Sequence, residues 1–345
     1  MGSVLESGSA SAQGKRSQNE DAVYANPAAG VFLVADGAGG NAGGRTAATI
    51  VADVIGQDLA VALPRSKDVP QVLKRTLNHA HERVVKGQTT PQLKSMSTTA
   101  VILAFQGMNL HVAHVGDSRA YLWRDGALVC LTRDHSWANH LADHPELQAR
   151  ADRPGNMLMQ AVGMAGQVPT PDVRTESLET GDLVLACSDG ICTPVPEWVL
   201  SATLAGAVLR TPQEICDALV KIGLAYGSVD NLSAIVVRVG APPQGAGLGW
   251  LAFVEGERHG QVVSLGLVTT VGSDPKGDVV IEDGFISPLH AEIRAGVDGG
   301  FSIKDLGSKN GLFLNEQRIR EEPLVDGDAV RFGGTTLVFK SFLGP

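Results

Sequence analysis

The chain has 345 residues, 43% of them hydrophobic, with 41 glycines and a formal net charge of −9 from 28 basic and 37 acidic side chains. This composition supports a folded, soluble chain of about two domains and excludes a wholly disordered or fibrous one. An acidic chain without Lys/Arg runs is a poor partner for nucleic acid or an anionic membrane. Its longest apolar stretch (100–105) is far short of the roughly 18 residues of a membrane span. No apolar leader follows Met1, and Glu6 stands where a myristoylation signal opening at Gly2 needs Ser or Thr. Cys130, Cys187, Cys192 and Cys216 show no Cys-x-x-Cys spacing and read as reduced, mostly buried thiols of a cytoplasmic protein.

In chain order, 31–35 is a continuous apolar run ending at Asp36, as a strand buried on both faces would be. A glycine-rich turn (37–44) leads into a helix over 45–60, and a second helix is predicted over 70–85. Short strands follow at 98–105, 110–115, 120–123 and 127–131, the last two joined by an Asp125-Gly126 hairpin turn. A strand at 182–187, a helix at 212–225 and a strand at 232–239 complete the first region. Sequential strands with hairpin turns predict antiparallel sheets covered by helices, not a βαβ repeat. The Pro/Gly-rich segment 241–249 is a linker, with net charge −4 before it and −5 from 250 onward. Beyond it, short strands at 261–265, 279–281, 291–294, 301–304, 329–332 and 336–339 predict a small all-β sandwich. The fold class is therefore α+β, divided 1–240, 241–249 and 250–345.

Five acids fall in or beside predicted turns: Asp21, Asp36, Asp117, Asp189 and Asp230. Asp36 follows its strand directly, whereas Asp117 and Asp189 follow theirs after one residue. Glycine after Asp36 and Asp189 lets a backbone carbonyl turn toward the same point as the carboxylate. Converging carboxylates repel, and hard divalent cations such as Mg²⁺ or Mn²⁺ relieve that repulsion. Two such ions about 3.5–4 Å apart can activate a shared water for attack on phosphorus. Any one Asp-Gly pair is more often only a turn. His114 and His135 are candidate bases or ligands, though a histidine near a strand is more often a hydrogen-bonded structural residue. The 37–44 turn could cradle phosphate, but it has neither a P-loop lysine nor a Gly-x-Gly-x-x-Gly pattern, so a nucleotide-binding regulator is the weaker alternative.

Taken in order, Arg16-x-x-Asn-Glu-Asp21, Asp36-Gly-x-Gly-Gly40, Ser97-Thr-Thr99, Gly116-Asp-Ser-Arg119, Thr132-Arg-Asp-His-Ser136, Ser188-Asp-Gly190 and Asp230-Asn231 resemble the metal-dependent Ser/Thr phosphatases of the protein phosphatase 2C (PPM) family, bacterial branch. The resemblance spans nearly all of 8–240. It implies an αββα sandwich of two antiparallel sheets flanked by helices, with a two-metal site at one end. It assigns Asp36 as a bridging ligand, Gly37 as a carbonyl ligand, and Asp189 and Asp230 as ligands completing the other ion. Asp117 would join Asp189 on a looser third ion. Glu20 would reach a metal through water, Asp21 would support the ligands from behind, and Arg16 would grip the substrate phosphate. The implied reaction is hydrolysis of phosphoserine or phosphothreonine by metal-activated water, with no cysteine nucleophile. Ala38 replaces a histidine that eukaryotic members often carry as a proposed general acid, and the flap segment 134–171 is short. The alternative is an inactive phosphatase fold serving as a signalling scaffold.

Residues 250–345 resemble a forkhead-associated (FHA) domain through Val271-Gly-Ser-Asp-Pro275, Ile286-Ser-Pro-Leu-His-Ala291, Asp305-Leu-Gly-Ser-Lys-Asn-Gly311, Asn315 and Asp326-Gly-Asp328. The resemblance implies a β-sandwich whose loops read phosphothreonine, with Ser287 on the phosphate, Asn310 on the ligand backbone and His290 bracing the loops. Ser273 stands in place of the usual arginine and Pro288 in place of a basic residue. Lys276 or Lys309 would have to compensate, so weak phosphothreonine binding and phosphate-independent docking both stay open. The implied partners are phosphorylated Ser/Thr proteins, such as a cognate bacterial kinase or its substrates.

Overall fold

The computed structural model describes residues 5–342 apart from 39–41, 125, 145, 147–152, 206–209, 241–247, 256–257, 267 and 297–299. Gly2, Asp125 and most of the predicted linker thus lie outside the described residues. The chain divides into two compact units, Met1–Ala241 and Pro242–Pro345.

The first unit contains β1 (Leu5–Ala12), β2 (Ala22–Asn26), β3 (Val31–Ala35), β4 (Gly37–Ala38), α1 (Ala42–Ala62), α2 (Val69–Gly87), β5 (Ser97–Thr98), β6 (Ala100–Gln106), β7 (Asn109–Val115), β8 (Arg119–Arg124), β9 (Ala127–Cys130), α3 (Trp137–Asp143), β10 (Asp172–Ser177), β11 (Leu183–Cys187), α4 (Asp189–Cys192), α5 (Glu197–Ala205), α6 (Pro212–Ala225) and β12 (Leu232–Val239). Two five-stranded sheets form, ordered β1-β12-β11-β8-β9 and β10-β7-β6-β3-β2, together with a small β4-β5 ladder.

The apolar runs are continuous because each central strand is covered on both faces. Val31, Leu33 and Ala35 pack with Ala48, Val51, Ile55, Leu73 and Leu77 of α1 and α2. Phe32 and Val34 point the other way, into a layer shared with Val101, Leu103, Val184, Ile235 and Val237 between the sheets. Leu183, Leu185 and Cys187 face Leu200, Ile215 and Leu219 of α5 and α6. Helix, sheet, sheet and helix layers follow from that alternation.

Helix starts obey local chemistry. Asp68 accepts from Gln71 N at 3.1 Å ahead of Pro70 in α2, and Thr211 and Glu214 form a reciprocal capping box ahead of Pro212 in α6. The segment Gly43–Arg65 is long and apolar enough to cross a membrane, with mean hydropathy 1.4, although the uninterrupted apolar runs of the chain are short. Its apolar face, including Ala47, Val51, Ile55 and Leu59, is buried against the second sheet. β1 has no apolar run in its sequence; its pairing with β12, from Leu5 opposite Val239 to Ala12 opposite Leu232, makes it a strand.

The second unit is all β, as expected. One sheet orders the strands 262–264, 248–253, 335–342, 329–332, 312–314 and 317–319, and the other orders 279–280, 268–272, 291–295, 301–305 and 321–324. Leu251, Val271, Ile293, Ile303, Phe332 and Phe339 belong to its buried core.

Candidate active site

Strand register brings distant acids to one end of the first unit. Cys187 pairs with Arg119 on one side and Ala234 on the other, so the chain just past β11, just before β8 and just before β12 meets at the same rim. Those positions carry Asp189, Asp117 and Asp230. β3 ends at the same rim with Asp36, whose N–H donates to Thr99 Oγ1 at 3.0 Å and whose carbonyl accepts from Thr99 N and Thr98 Oγ1, each at 2.8 Å. Arg16, Ser17, Gln18, Glu20, Asp36, Gly37, Ala38, Thr99, Asp117, Asn156, Leu158, Asp189, Asp230 and Asn231 line a cleft of about 480 Å³.

Two glycines permit that closeness. A Cβ on Gly37 would lie 2.4 Å from the Gly44 carbonyl group, and one on Gly190 would lie 2.0 Å from Asn231 O. No ordinary side chain fits either position.

The electrostatics are those of anions crowded out of water. Burial first, then Asp21 and Asp189, hold the Asp36 carboxyl far above its ordinary range. Burial and Asp230 raise Asp189, against the neighbouring Asp36 carboxyl and Arg16, which favour its ionised form. Asp117 is pushed up to about 7 by burial, Asp189 and Asp134. Asp21 does not line the cleft; it sits behind it, and burial pushes it up to about 6 although Ser188 Oγ donates to its Oδ2 at 2.9 Å. Glu20 is raised by burial.

The donor set suits a hard cation. Asp189 Oδ1 and Asp21 Oδ1 are buried without a hydrogen-bond partner among the described residues. Buried carboxylate oxygens left open, in a cleft whose acids are all oxygen donors, are the chemistry of Mg²⁺ or Mn²⁺ ligation. The Arg16 guanidinium, 57% exposed, lies 2.5 Å from Asp230 Oδ2, and its pKa is raised chiefly by that bond.

The family model for protein phosphatase 2C matches residues 9–220 and that for the FHA domain matches 269–333. The chain belongs to the protein phosphatase 2C family. It is 32% identical over 238 residues to the serine/threonine protein phosphatase PstP of Mycobacterium tuberculosis, covering 65% of this chain and 43% of that relative, so the match spans less than half of the relative's length. Among solved structures it is similar to PppA, described as a key regulatory component of T6SS in Pseudomonas aeruginosa, at 32% identity and TM-score 0.60, over 69% of this chain and 99% of that one. It is also similar to the catalytic domain of PstP in complex with two manganese ions, at 28% identity and TM-score 0.60, over 69% of this chain and all of that one.

Within this phosphatase 2C unit, sequence reasoning left several cleft residues without a role. Asn231, next to Asp230, donates through Nδ2 to Gln13 O at 2.7 Å and Gln18 O at 3.0 Å, and its Oδ1 accepts from Glu20 N at 2.9 Å. It ties the loop bearing Arg16 to the acid rim. Thr99 clamps Asp36 and contacts Ser118 Oγ at 2.7 Å. Asn156 and Leu158 arrive from the flap segment, where Leu158 bridges to Ser136; that pairing leaves no periodic signal in the sequence.

In the FHA unit, Ser287 Oγ accepts from Lys309 N at 3.1 Å, and Asn310 Nδ2 donates to Phe285 O at 2.7 Å. Ser273 Oγ donates to Ile286 O at 3.1 Å. His290 is fully buried, with Ser287 N donating to its Nδ1 at 3.2 Å and its Nε2 lying 3.3 Å from Gly311 O, so it bridges two loops.

Proposed function

We propose that the chain is a metal-dependent protein serine/threonine phosphatase that hydrolyses phosphoserine and phosphothreonine, with its FHA unit capturing a protein partner. One observation carries this reading: Asp36, Asp117, Asp189 and Asp230 line a single cleft, in which a buried oxygen of Asp189 lacks a hydrogen-bond partner among the described residues. In this reading Asp36, the Gly37 carbonyl, Asp189 and Asp230 hold two Mn²⁺ or Mg²⁺ ions, and Asp117 with Asp189 holds a third, looser one. Bound cations supply positive charge, which lets the carboxylates ionise together, and Lewis acidity toward water. Arg16 exchanges Asp230 for the substrate phosphate, whose oxygens its planar fork fits. Glu20 hydrogen-bonds water at the rim, while Asp21, through Ser188, positions the start of α4. Ala38 offers no proton, so the leaving alkoxide takes its proton from water. A full ligand set favours catalysis over a scaffold role.

Purified protein should hydrolyse a small aryl phosphate and a phosphothreonine peptide with Mn²⁺ or Mg²⁺, and Asp36→Asn or Asp189→Asn should abolish both activities. Equal rates in excess chelator would refute the reading.

Ser273, which stands where the resemblance expects a phosphate-gripping arginine and donates its hydroxyl to Ile286 O, supports capture of a partner with little dependence on phosphate. Titration of the full chain with a phosphothreonine peptide and its unphosphorylated form should give affinities within about tenfold, and a hundredfold preference would overturn this assignment. The bacterial relatives support a Ser/Thr kinase and its substrates as the phosphorylated partners. Four free thiols, three of them buried, support a reducing, cytoplasmic setting.

A further inference from the structure

We propose that His114, His135 and Asp172 form a second cation site, selective for a borderline transition ion of the zinc class. None of the three lines the carboxylate cleft. Asp172 on β10 stands directly opposite His114 on β7, so both side chains leave the same face at the sheet edge. The His135 ring stacks on that of His114 with centroids 4.7 Å apart, and its Nε2 lies 3.3 Å from Asp172 Oδ2. One ligand atom from each residue lies within 4.8 Å of the other two.

The ring chemistry suits a ligand set. His114 Nε2 lies 2.9 Å from Arg133 O and donates to it, which leaves the lone pair on Nδ1, where the described residues provide no partner. Burial lowers the pKa of His114 and keeps the ring neutral, the form that binds metal. Asp172 borders two clefts, one shared with His135 and the other with His114, so an ion has access and a water can complete its coordination. An exposed Asp–His pair alone would be an ordinary surface contact of small value. The imidazole of His114 beside it, a buried residue whose pKa burial lowers, makes the difference. Two imidazoles and one carboxylate with an open fourth position suit zinc-class ions, whereas the all-oxygen cleft suits Mg²⁺ or Mn²⁺.

Occupancy has a defined cost at Asp117. His135 N donates to Gly116 O at 2.9 Å, and Gly116 N donates to His135 Nδ1 at 3.2 Å. With Nδ1 accepting, the ring proton of His135 sits on Nε2, facing Asp172. An ion on Nε2 displaces that proton to Nδ1, where it confronts the Gly116 N–H. No proton leaves the ring, but the Gly116 bond is lost, and Gly116 immediately precedes Asp117. The site therefore acts as a brake on the carboxylate cleft.

The test uses the full chain saturated with Mg²⁺ and titrated with Co²⁺ as a probe. Four-coordinate, nitrogen-ligated cobalt absorbs strongly in the visible, whereas six-coordinate, oxygen-ligated cobalt absorbs weakly. Strong bands should appear, persist in Asp36→Asn, and require at least about tenfold more cobalt in Asp172→Asn and in His135→Gln. Absent bands, or bands undiminished in the exposed-site variant Asp172→Asn, overturn the site. A second arm rests on the phosphatase reading. Zn²⁺ should slow aryl phosphate hydrolysis by the Mn²⁺-loaded chain, with Asp172→Asn needing at least about tenfold more Zn²⁺, and equal sensitivity overturns the coupling to Asp117. The cobalt arm holds whether or not the chain is a phosphatase, so the two failures are distinguishable.

Discussion

Removing divalent cations should make the first unit lose stability as pH rises through neutrality. Asp117 is pushed up to about 7 in the folded chain, against an ordinary value of 3.8, and Asp36 is raised further. Between about pH 8 and about pH 6.5 the unfolded chain keeps both carboxyls ionised while the folded chain takes up protons. The native state then binds more protons than the unfolded one, so stability falls as pH rises. The sign follows from folded values raised above unfolded ones: the contribution is present at low pH and is lost through about pH 7. Over this window Asp117 accounts for ~1 kcal/mol and Asp36 for at most ~2 kcal/mol. At about 2–4 °C per kcal/mol for a unit of this size, Tm in chelator should be roughly 2–10 °C higher at the acid end. The window stops there because His81, His111 and His114 are buried with lowered pKa values and oppose the trend once unfolded histidines protonate. Calorimetry of the first unit's transition in the full chain, with chelator or with Mn²⁺, provides the assay. Mn²⁺ should flatten the slope, because the cation takes over from the protons, and Asp117→Asn should remove its share. A Tm in chelator that is flat or rises with pH would refute this account of the acid cluster.

Three further outcomes follow from particular contacts. Asn231→Ala removes the bonds to Gln13, Gln18 and Glu20, so stability should drop by about 1–3 kcal/mol in denaturant titration, and KM for a phosphopeptide should rise more than kcat falls as the Arg16 loop loosens. Gly190→Ala drives a methyl group into Asn231 O; the far-UV spectrum should persist, while calorimetry should show Mn²⁺ affinity reduced at least about tenfold. Asp182, 2% exposed, takes two hydrogen bonds from Arg124 at 2.8 and 2.6 Å, while Arg124 also pairs with Glu179, so Asp182→Ala should cost about 1–3 kcal/mol in denaturant titration without changing the metal requirement of hydrolysis.

Much of the architecture is legible in one dimension because burial leaves a periodic trace. The run at 31–35 reads as a strand covered on both faces, and those at 182–187 and 232–239 read as strands; the strands observed at 31–35, 183–187 and 232–239 are fully buried. The helices expected over 70–85 and 212–225 likewise start within a residue of expectation, at Val69 and Pro212. β1 escapes such reading because its strand character comes from a partner more than 200 positions away, with Ser9 opposite Ile235.

The site divides along the same line. Residue type alone makes Asp36, Asp117, Asp189 and Asp230 candidates, since carboxylates in turns beside glycine are what hard cations need. Only tertiary structure sets the consequences, because pKa depends on distance and on exclusion of water. Burial makes Asp117 titrate near neutrality, Asp230 claims the Arg16 fork, and Asn231 becomes the tether of a loop distant in sequence. His114 and His135 look like ordinary strand-end histidines until register sets Asp172 beside them. A sequence specifies which groups exist and what each can do alone; their protonation, pairing and shared ions come from neighbours that chain order does not reveal.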